Sequence, residues 1–299
     1  MAELAESTVI LHGNVLSYVD TGPVRARGGN SGAGPVVLFV HGILGSHHNW
    51  AELLAELSED ARVIAPDLFG HGASAKPMGD YSLGAHAAAL RDLLDVLGIE
   101  TVTLVGHSLG GGIAMQFGYL FADRVDRMAL ISSGGLGREV SVLLRAAVLP
   151  GSELVLPLLA SNRVRDAVGW VAGRVRRLGL SAPPDAVEAW REMASFSQPD
   201  SRRAFLATAR SVIDAGGQTV YAGNRFALIG SLPVLIVWGA RDPIIPYRHG
   251  LSAHRELPQS TFELFEHSGH FPHLDDPDRF SRVLRRFIAQ PAGHPSVLR

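Results

Sequence analysis

Ser108, Asp242 and His270 lie far apart in the chain, yet their settings point to one piece of chemistry. Ser108 sits in Gly106-His107-Ser108-Leu109-Gly110, with Gly111 and Gly112 behind it. An apolar run, 101–105, enters this pentapeptide and a small-residue helical pattern leaves it. That is the strand–turn–helix setting a G-x-S-x-G nucleophile requires. A side chain at the tip of so sharp a turn needs a strained backbone and tiny neighbours two residues to either side. The helix beyond it turns free N–H groups and a positive dipole end toward an oxyanion forming at the serine. Without its flanks the pentapeptide is only a glycine-rich turn.

A serine hydroxyl is a weak nucleophile until a base takes its proton. With this motif an acid and then a histidine follow along the chain. The apolar run 234–238 ends in Gly239-Ala240-Arg241-Asp242-Pro243, and 261–265 ends in Glu266-His267-Ser268-Gly269-His270-Phe271. Both placements fall on the carboxyl edge of a sheet, where open α/β sheets gather their ligands and catalytic groups. The plainer readings are a turn-forming aspartate before proline and an ordinary loop histidine. The run 36–40 leads into His41-Gly42-Ile43-Leu44-Gly45, and the Ile43 N–H is expected to pair with that of Leu109 as an oxyanion hole. His41, Gly42 and His107 read as supporting residues beside the site, His41 as a structural hydrogen bonder rather than a base.

The histidines also invite a metal reading, through His267, His270 and His273 and through His47-His48. The first set falls in a loop, where Pro272 is expected to interrupt any helix that would align it. No metal and no cofactor is expected in the chemistry.

The elements that must position these residues follow from hydropathy. Runs 8–11 and 15–19 flank His12-Gly13-Asn14 as an opening hairpin. Runs 36–40, 62–65, 101–105, 128–132, 234–238 and 261–265 read as strands, the first apolar at every position, as in a sheet covered on both faces. Between them Trp50, Leu53, Leu54 and Leu57 form a helical stripe, and Ser82 caps a helix carrying Leu83, Ala87, Leu90, Leu94 and Leu97 that stops at Gly98. Phe280, Val283, Leu284, Phe287 and Ile288 share one face of a closing helix. The alternation predicts an α/β fold with a doubly wound, mostly parallel sheet. The glycine-rich 28–34 lacks the Lys-Ser/Thr of a phosphate loop.

The rhythm breaks over 138–229, which reads as a helical insertion broken by Pro150, Pro157, Pro183-Pro184 and Pro199, leaving 1–137 and 230–299 as the core. The insertion holds twelve arginines against eight acidic residues. Its apolar runs 142–144, 148–149, 154–156 and 158–159, with Leu156 and Leu159 singled out, are expected to meet apolar acyl or alkyl groups, and its positive charge suggests a substrate whose far end is acidic.

Composition excludes several classes. The chain has 299 residues with 27 basic and 29 acidic side chains, net −2, so it lacks the basic excess of a nucleic-acid binder. It has no cysteine, which removes disulfides, thiolate metal sites and a cysteine nucleophile. All but one of the basic residues, Lys76, are arginine. The most apolar stretch, 140–160, carries Arg145, Pro150, Glu153 and Pro157 and is no membrane span. The first residues carry Glu3 and Glu6 and no basic-then-apolar export pattern, so a cytoplasmic location is expected.

Together the motifs resemble the α/β-hydrolase family, in particular a serine-nucleophile member with a helical cap. The resemblance rests on His41-Gly42, Asp67-Leu68-Phe69-Gly70-His71-Gly72-Ala73-Ser74, Gly106-His107-Ser108-Leu109-Gly110-Gly111, Gly239-Ala240-Arg241-Asp242 and Ser268-Gly269-His270, in that order. It implies Ser108 as nucleophile, His270 as base, Asp242 as the acid orienting it, and 138–229 as the cap. Epoxide hydrolases and haloalkane dehalogenases of this fold use an aspartate nucleophile, where this chain has Ser108. Meta-cleavage-product hydrolases usually place asparagine before the serine and tryptophan after the histidine, where this chain has His107 and Phe271. The implied activity is hydrolysis of a small-molecule carboxylic ester with a small to medium apolar group, through an acyl-enzyme. The alternatives are C–C bond hydrolysis of the meta-cleavage type and, from another class, a non-catalytic ligand-binding protein. Relatives of that last kind usually lose a triad member, and all three residues stand here.

Overall fold

A computed structural model of the chain describes residues 5–24, 34–159, 161, 164, 170, 174, 177, 196 and 198–290. The strands that hydropathy marks as doubly buried form the centre of an eight-stranded sheet. In chain order these are β1 (Glu6–Leu11), β2 (Asn14–Asp20), β3 (Val36–Val40), β4 (Arg62–Pro66), β5 (Val102–His107), β6 (Val125–Ile131), β9 (Val234–Gly239) and β10 (Ser260–Phe265). They lie side by side as β1-β2-β4-β3-β5-β6-β9-β10. The opening hairpin is antiparallel and joins β4 antiparallel, while every pairing from β4 onward to β10 is parallel.

Strand side chains alternate between faces, and each face meets its own helices. Leu38, Val40, Leu104, Leu130 and Ile236 pack with Leu90, Leu94, Ile113 and Phe117 of helices α2 (Leu83–Val96) and α3 (Leu109–Leu120). Val37, Phe39, Val105, Ile131 and Val237 pack on the other face with Leu53, Leu54 and Leu57 of α1 (Ala51–Leu57) and with Phe280, Leu284 and Phe287 of the closing helix Pro277–Ile288. Ser82 accepts the Ala85 N–H and so caps α2, and Gly98 follows the helix at φ +65°, a conformation that suits glycine.

Between β6 and β9 no described segment joins the main sheet. This stretch contains α4 (Val142–Ala147), α5 (Ser152–Leu159) and α6 (Pro199–Val212), and then the short ladder of β7 (Ile213–Asp214) and β8 (Gly217–Gln218), which helical periodicity does not signal. Prolines correct the sequence reading in three places. Pro157 lies inside α5, while Pro199 and Pro272 each open a helix instead of ending one. At the first helical position the missing N–H has no intrahelical acceptor to lose. Pro183-Pro184 and most of the glycine-rich 28–34 lie outside the described residues. The apolar runs of the insertion also face differently from expectation: Val142, Leu143, Leu154 and Leu158 are exposed and Leu156 is buried. The Leu159 side chain lies outside the described residues. Among the described residues no helix is long and apolar enough to cross a membrane.

The segment Asp67–Ser74 owes its shape to one buried carboxylate. Asp67 Oδ1 accepts the His47 N–H at 2.7 Å and faces the His47 ring nitrogen Nδ1 at 2.9 Å, while Oδ2 accepts the Ala73 N–H at 2.7 Å. Burial works against its charge, but the His47 and Ala73 donors outweigh it and hold Asp67 down at about 2. The unfolded chain protonates this group near 3.8, above the folded value, so the carboxylate stabilises the fold at higher pH. That contribution, about 2 kcal/mol, is lost as pH falls from 3.8 toward 2. Urea denaturation of wild type and Asp67→Asn from pH 5 to pH 2 should therefore show their stability difference shrinking with acid. A constant difference would assign the motif's stability to something other than this charge.

Candidate active site

Ser108 lies at the joint between β5 and α3 with φ 54° and ψ −115°. A residue with a Cβ pays about 1–2 kcal/mol for such a left-handed backbone, so the surroundings must hold it there. They do so through the main chain. The Ser108 N–H donates to the Ile131 carbonyl at 2.9 Å, and its own carbonyl accepts from Gly111 and Gly134 at 3.1 and 2.9 Å. A Cβ on Gly106 would overlap the Gly110 carbonyl, and one on Gly110 would overlap the carbonyls of Val40 and His41. The motif's glycines are thus contact points between β5, α3 and the end of β3. Gly42 serves the same end, since a Cβ there would come within 3.0 Å of the His107 ring and 3.1 Å of the Ser108 Cβ.

Asp242 follows β9 and His270 follows β10, and the two side chains meet, with His270 Nδ1 2.8 Å from Asp242 Oδ2. The other carboxylate oxygen, Oδ1, accepts the Ile244 and Ile245 N–H groups at 2.8 and 2.9 Å. Both side chains are buried, Asp242 completely. A carboxylate only accepts, so Nδ1 carries the proton and Nε2 is the basic nitrogen of His270. This pair is tied to the serine's neighbour: His107 Nε2 donates to the His270 carbonyl at 2.9 Å, and the two rings lie 4.8 Å apart. Burial and the nearby His270 and His273 lower His107 well below its ordinary range, keeping it neutral. His41 is likewise lowered by burial, and its Nε2 accepts the Leu68 N–H at 3.0 Å.

Ser108 opens into a pocket of about 490 Å³, its mouth included. Ile43 and Leu109 line the pocket beside Ser108. Leu109 opens α3, where an N–H has no intrahelical acceptor, and among the described residues neither this N–H nor that of Ile43 reaches a backbone carbonyl. The rest of the wall is almost wholly apolar, with Leu83, Val140, Leu144, Val212, Ile213 and Val220 around it. Gln218 is the polar side chain that sequence reasoning missed. Its Oε1 accepts the Gly135 N–H at 2.7 Å and its Nε2 donates to the Glu139 carbonyl, anchoring the wall. Its sequence surroundings carry no signal of this placement. No arginine lines the pocket among the described residues; an adjoining cleft holds Arg225, beside Gln116 and Tyr119.

The 267–273 histidines take separate environments. His267 Nδ1 lies 3.2 Å from an Arg241 guanidinium nitrogen, and His273 stacks on Trp50 with ring centroids 4.5 Å apart. Burial and then His270 lower His273 to about 3.

Residues 35–277 match the family model described as the alpha/beta hydrolase fold. The chain belongs to this family. It is a hydrolase of the α/β fold. An uncharacterized protein of Mycobacterium tuberculosis is 44% identical over 261 residues, covering 86% of this chain and 76% of the relative. The 2-hydroxy-6-oxo-2,4-heptadienoate hydrolase of Pseudomonas putida is 29% identical over 271 residues, covering 86% of this chain and 90% of that enzyme. The solved esterase RhEst1 of Rhodococcus sp. ECU1013 superposes with a TM-score of 0.69 at 26% identity, covering 96% of this chain and 99% of that one.

The close approach at the turn makes a direct prediction. Gly110→Ala forces a Cβ into backbone carbonyls and should cost about 1–3 kcal/mol. Gly84→Ala, in α2, meets nothing nearer than the Ser82 hydroxyl at 3.8 Å and should be neutral or stabilising by up to about 1 kcal/mol. Equal midpoints for the two variants in urea would mean that backbone packing does not set the turn.

Proposed function

We propose that this hydrolase cleaves carboxylic esters of small to medium apolar acids through an acyl-enzyme on Ser108. The observation that carries the reading is the serine on its strained turn, joined through His107 to a buried His270–Asp242 pair at the foot of an apolar pocket. In the first step His270 Nε2 takes the Ser108 proton as Oγ attacks the ester carbonyl. Asp242 holds the imidazole in the tautomer that leaves Nε2 basic and stabilises the imidazolium that forms. The Ile43 and Leu109 N–H groups bind the oxyanion, whose charge grows beside an apolar wall. His270 then gives its proton to the leaving alcohol. In the second step it takes a proton from water as the water oxygen attacks the acyl-enzyme, and it returns that proton to Ser108 Oγ as the acid leaves. The insertion acts as a cap over this pocket, supplying Val140, Leu144, Val212, Ile213 and Val220 to the wall.

A second reading has a specific basis. The similarity to the heptadienoate hydrolase favours C–C bond hydrolysis of a vinylogous diketone acid, run by the same groups. A nitrophenyl ester panel assayed beside a ring-fission dienoate separates the two by their kcat/KM.

Ser108→Ala should lower ester kcat by a factor on the order of 10⁶, with His270→Ala nearly as damaging and Asp242→Asn less so. A fluorophosphonate should add one equivalent to wild type at Ser108, seen by intact mass and peptide mapping. An adduct on another residue sinks the assignment.

The apolar wall should also set acyl preference. At about 0.8 kcal/mol per buried methylene, two added methylenes should raise kcat/KM roughly tenfold until the pocket fills. Leu144→Ala and Val212→Ala should flatten that rise while sparing the acetate ester. A profile from acetate to decanoate that is flat in wild type would remove the pocket from substrate selection.

A further inference from the structure

Away from the pocket, the opening hairpin and the turn after β3 bring together Glu6, His47 and His48, each offering a ligand atom within 4.8 Å of the others. We propose that these residues form a binding site for a divalent cation of the zinc class, separate from the catalytic machinery. The argument starts from Asp67. Its buried carboxylate lies 2.9 Å from His47 Nδ1, a hydrogen bond that orients the ring. The other ring nitrogen, Nε2, faces Glu6 Oε1 at 3.3 Å. An imidazole nitrogen and a carboxylate oxygen set this close together attract a cation, either a proton on Nε2 or a metal ion between them.

The spacing suits a metal ion. Zinc binds nitrogen and carboxylate oxygen at about 2.0–2.2 Å, and two such ligands on a tetrahedral ion stand about 3.3–3.4 Å apart. The His47 and Glu6 atoms are already at that separation. His48 supplies the third ligand: its ring centroid is 4.0 Å from that of His47, and its side chain is exposed and free to turn the remaining distance inward. Glu6 is exposed as well, so the fourth position is open to water. Asp67 completes a carboxylate–histidine–metal arrangement, which fixes the ring and raises its basicity as a ligand. Two imidazoles and one carboxylate suit zinc, nickel or copper and not magnesium or calcium, which prefer all-oxygen shells. A bound ion would pin β1, at the edge of the sheet, to the 3-10 turn His47–Trp50 on the segment that begins with Ile43. None of the three residues lines the reaction pocket.

The competing occupant is a proton on Nε2, which would make His47 an imidazolium between two carboxylates with no use for a metal. Zinc titrated calorimetrically into the EDTA-dialysed full-length protein distinguishes the two. The expected result is one equivalent per chain with micromolar or tighter affinity and a raised Tm, neither reproduced by magnesium. Glu6→Gln and His48→Ala alter exposed side chains and leave the fold intact; each should weaken binding at least tenfold, and both together should abolish it. His12→Ala and His267→Ala, at exposed histidines outside the cluster, should change nothing. Absence of stoichiometric binding, or binding indifferent to Glu6→Gln and His48→Ala, overturns the proposal.

Discussion

One left-handed residue organises the centre of this molecule. Ser108 cannot hold φ 54° on its own preference; the surrounding main chain holds it there. Its carbonyl collects N–H groups from the start of α3 and from the loop after β6, and its N–H is bound by β6. The price of that arrangement is glycine wherever the backbones touch: at 106 and 110 against one another and β3, and at 111 against Ser133. Because these contacts run between β3, β5, β6 and α3, the turn cannot relax without separating strands. The serine is therefore as rigid as the sheet, and a rigid nucleophile is what positioning demands of a catalytic constellation.

Around that turn the protein uses histidine in two physical ways. His41, His71, His86, His107 and His273 are buried, and burial lowers each of them, so they serve as neutral rings. A neutral imidazole can donate from one edge and accept at the other, which lets His41 receive the Leu68 N–H and His107 hold the His270 carbonyl. His270 and His47 each lie against an aspartate. In both pairs the carboxylate holds Nδ1 and turns Nε2 away from it. At His270 that nitrogen serves the proposed proton transfer, and at His47 it faces Glu6.

What the sequence made legible was whatever depends on neighbours in the chain. The strand–Gly106-His107-Ser108-Leu109-Gly110–helix pattern, the strand ends before Asp242 and His270, and the cap at Ser82 are local, and the structure has them where they were expected. Proline misled because its effect depends on its place in a helix. Pro272 reads as an interruption but stands at a first turn, where its fixed φ is an asset. The pocket wall was hidden for a different reason. Gln218, Val212 and Val220 come to Ser108 only through the β7–β8 turn, and a ladder of two residues a strand leaves no periodicity to read. Glu6 of β1 and His47 of the 3-10 turn likewise meet only through the fold.

The insertion shows why position outweighs composition in judging selectivity. Its excess of arginine suggests an acidic substrate, yet several of its arginines are committed elsewhere. Arg210 pairs with Glu153, Arg203 pairs with Asp200, and Arg138 donates to the Gly216 carbonyl. These contacts join pieces of the insertion to one another at its surface, where water screens them and ion pairs add little. Its most apolar helices likewise turn Leu143, Leu154 and Leu158 outward. What reaches the pocket is a different and smaller set: Val140 and Leu144 where the chain leaves the core, and Val212, Ile213, Gln218 and Val220 where it returns. Both ends are anchored to core loops, since the Ser141 N–H donates to Ile244, two residues past Asp242, and Gln218 binds Gly135. The wall facing Ser108 is therefore held in register with the catalytic loops themselves. Changes in the outward helices can vary the surface of the insertion without moving the groups that meet a substrate.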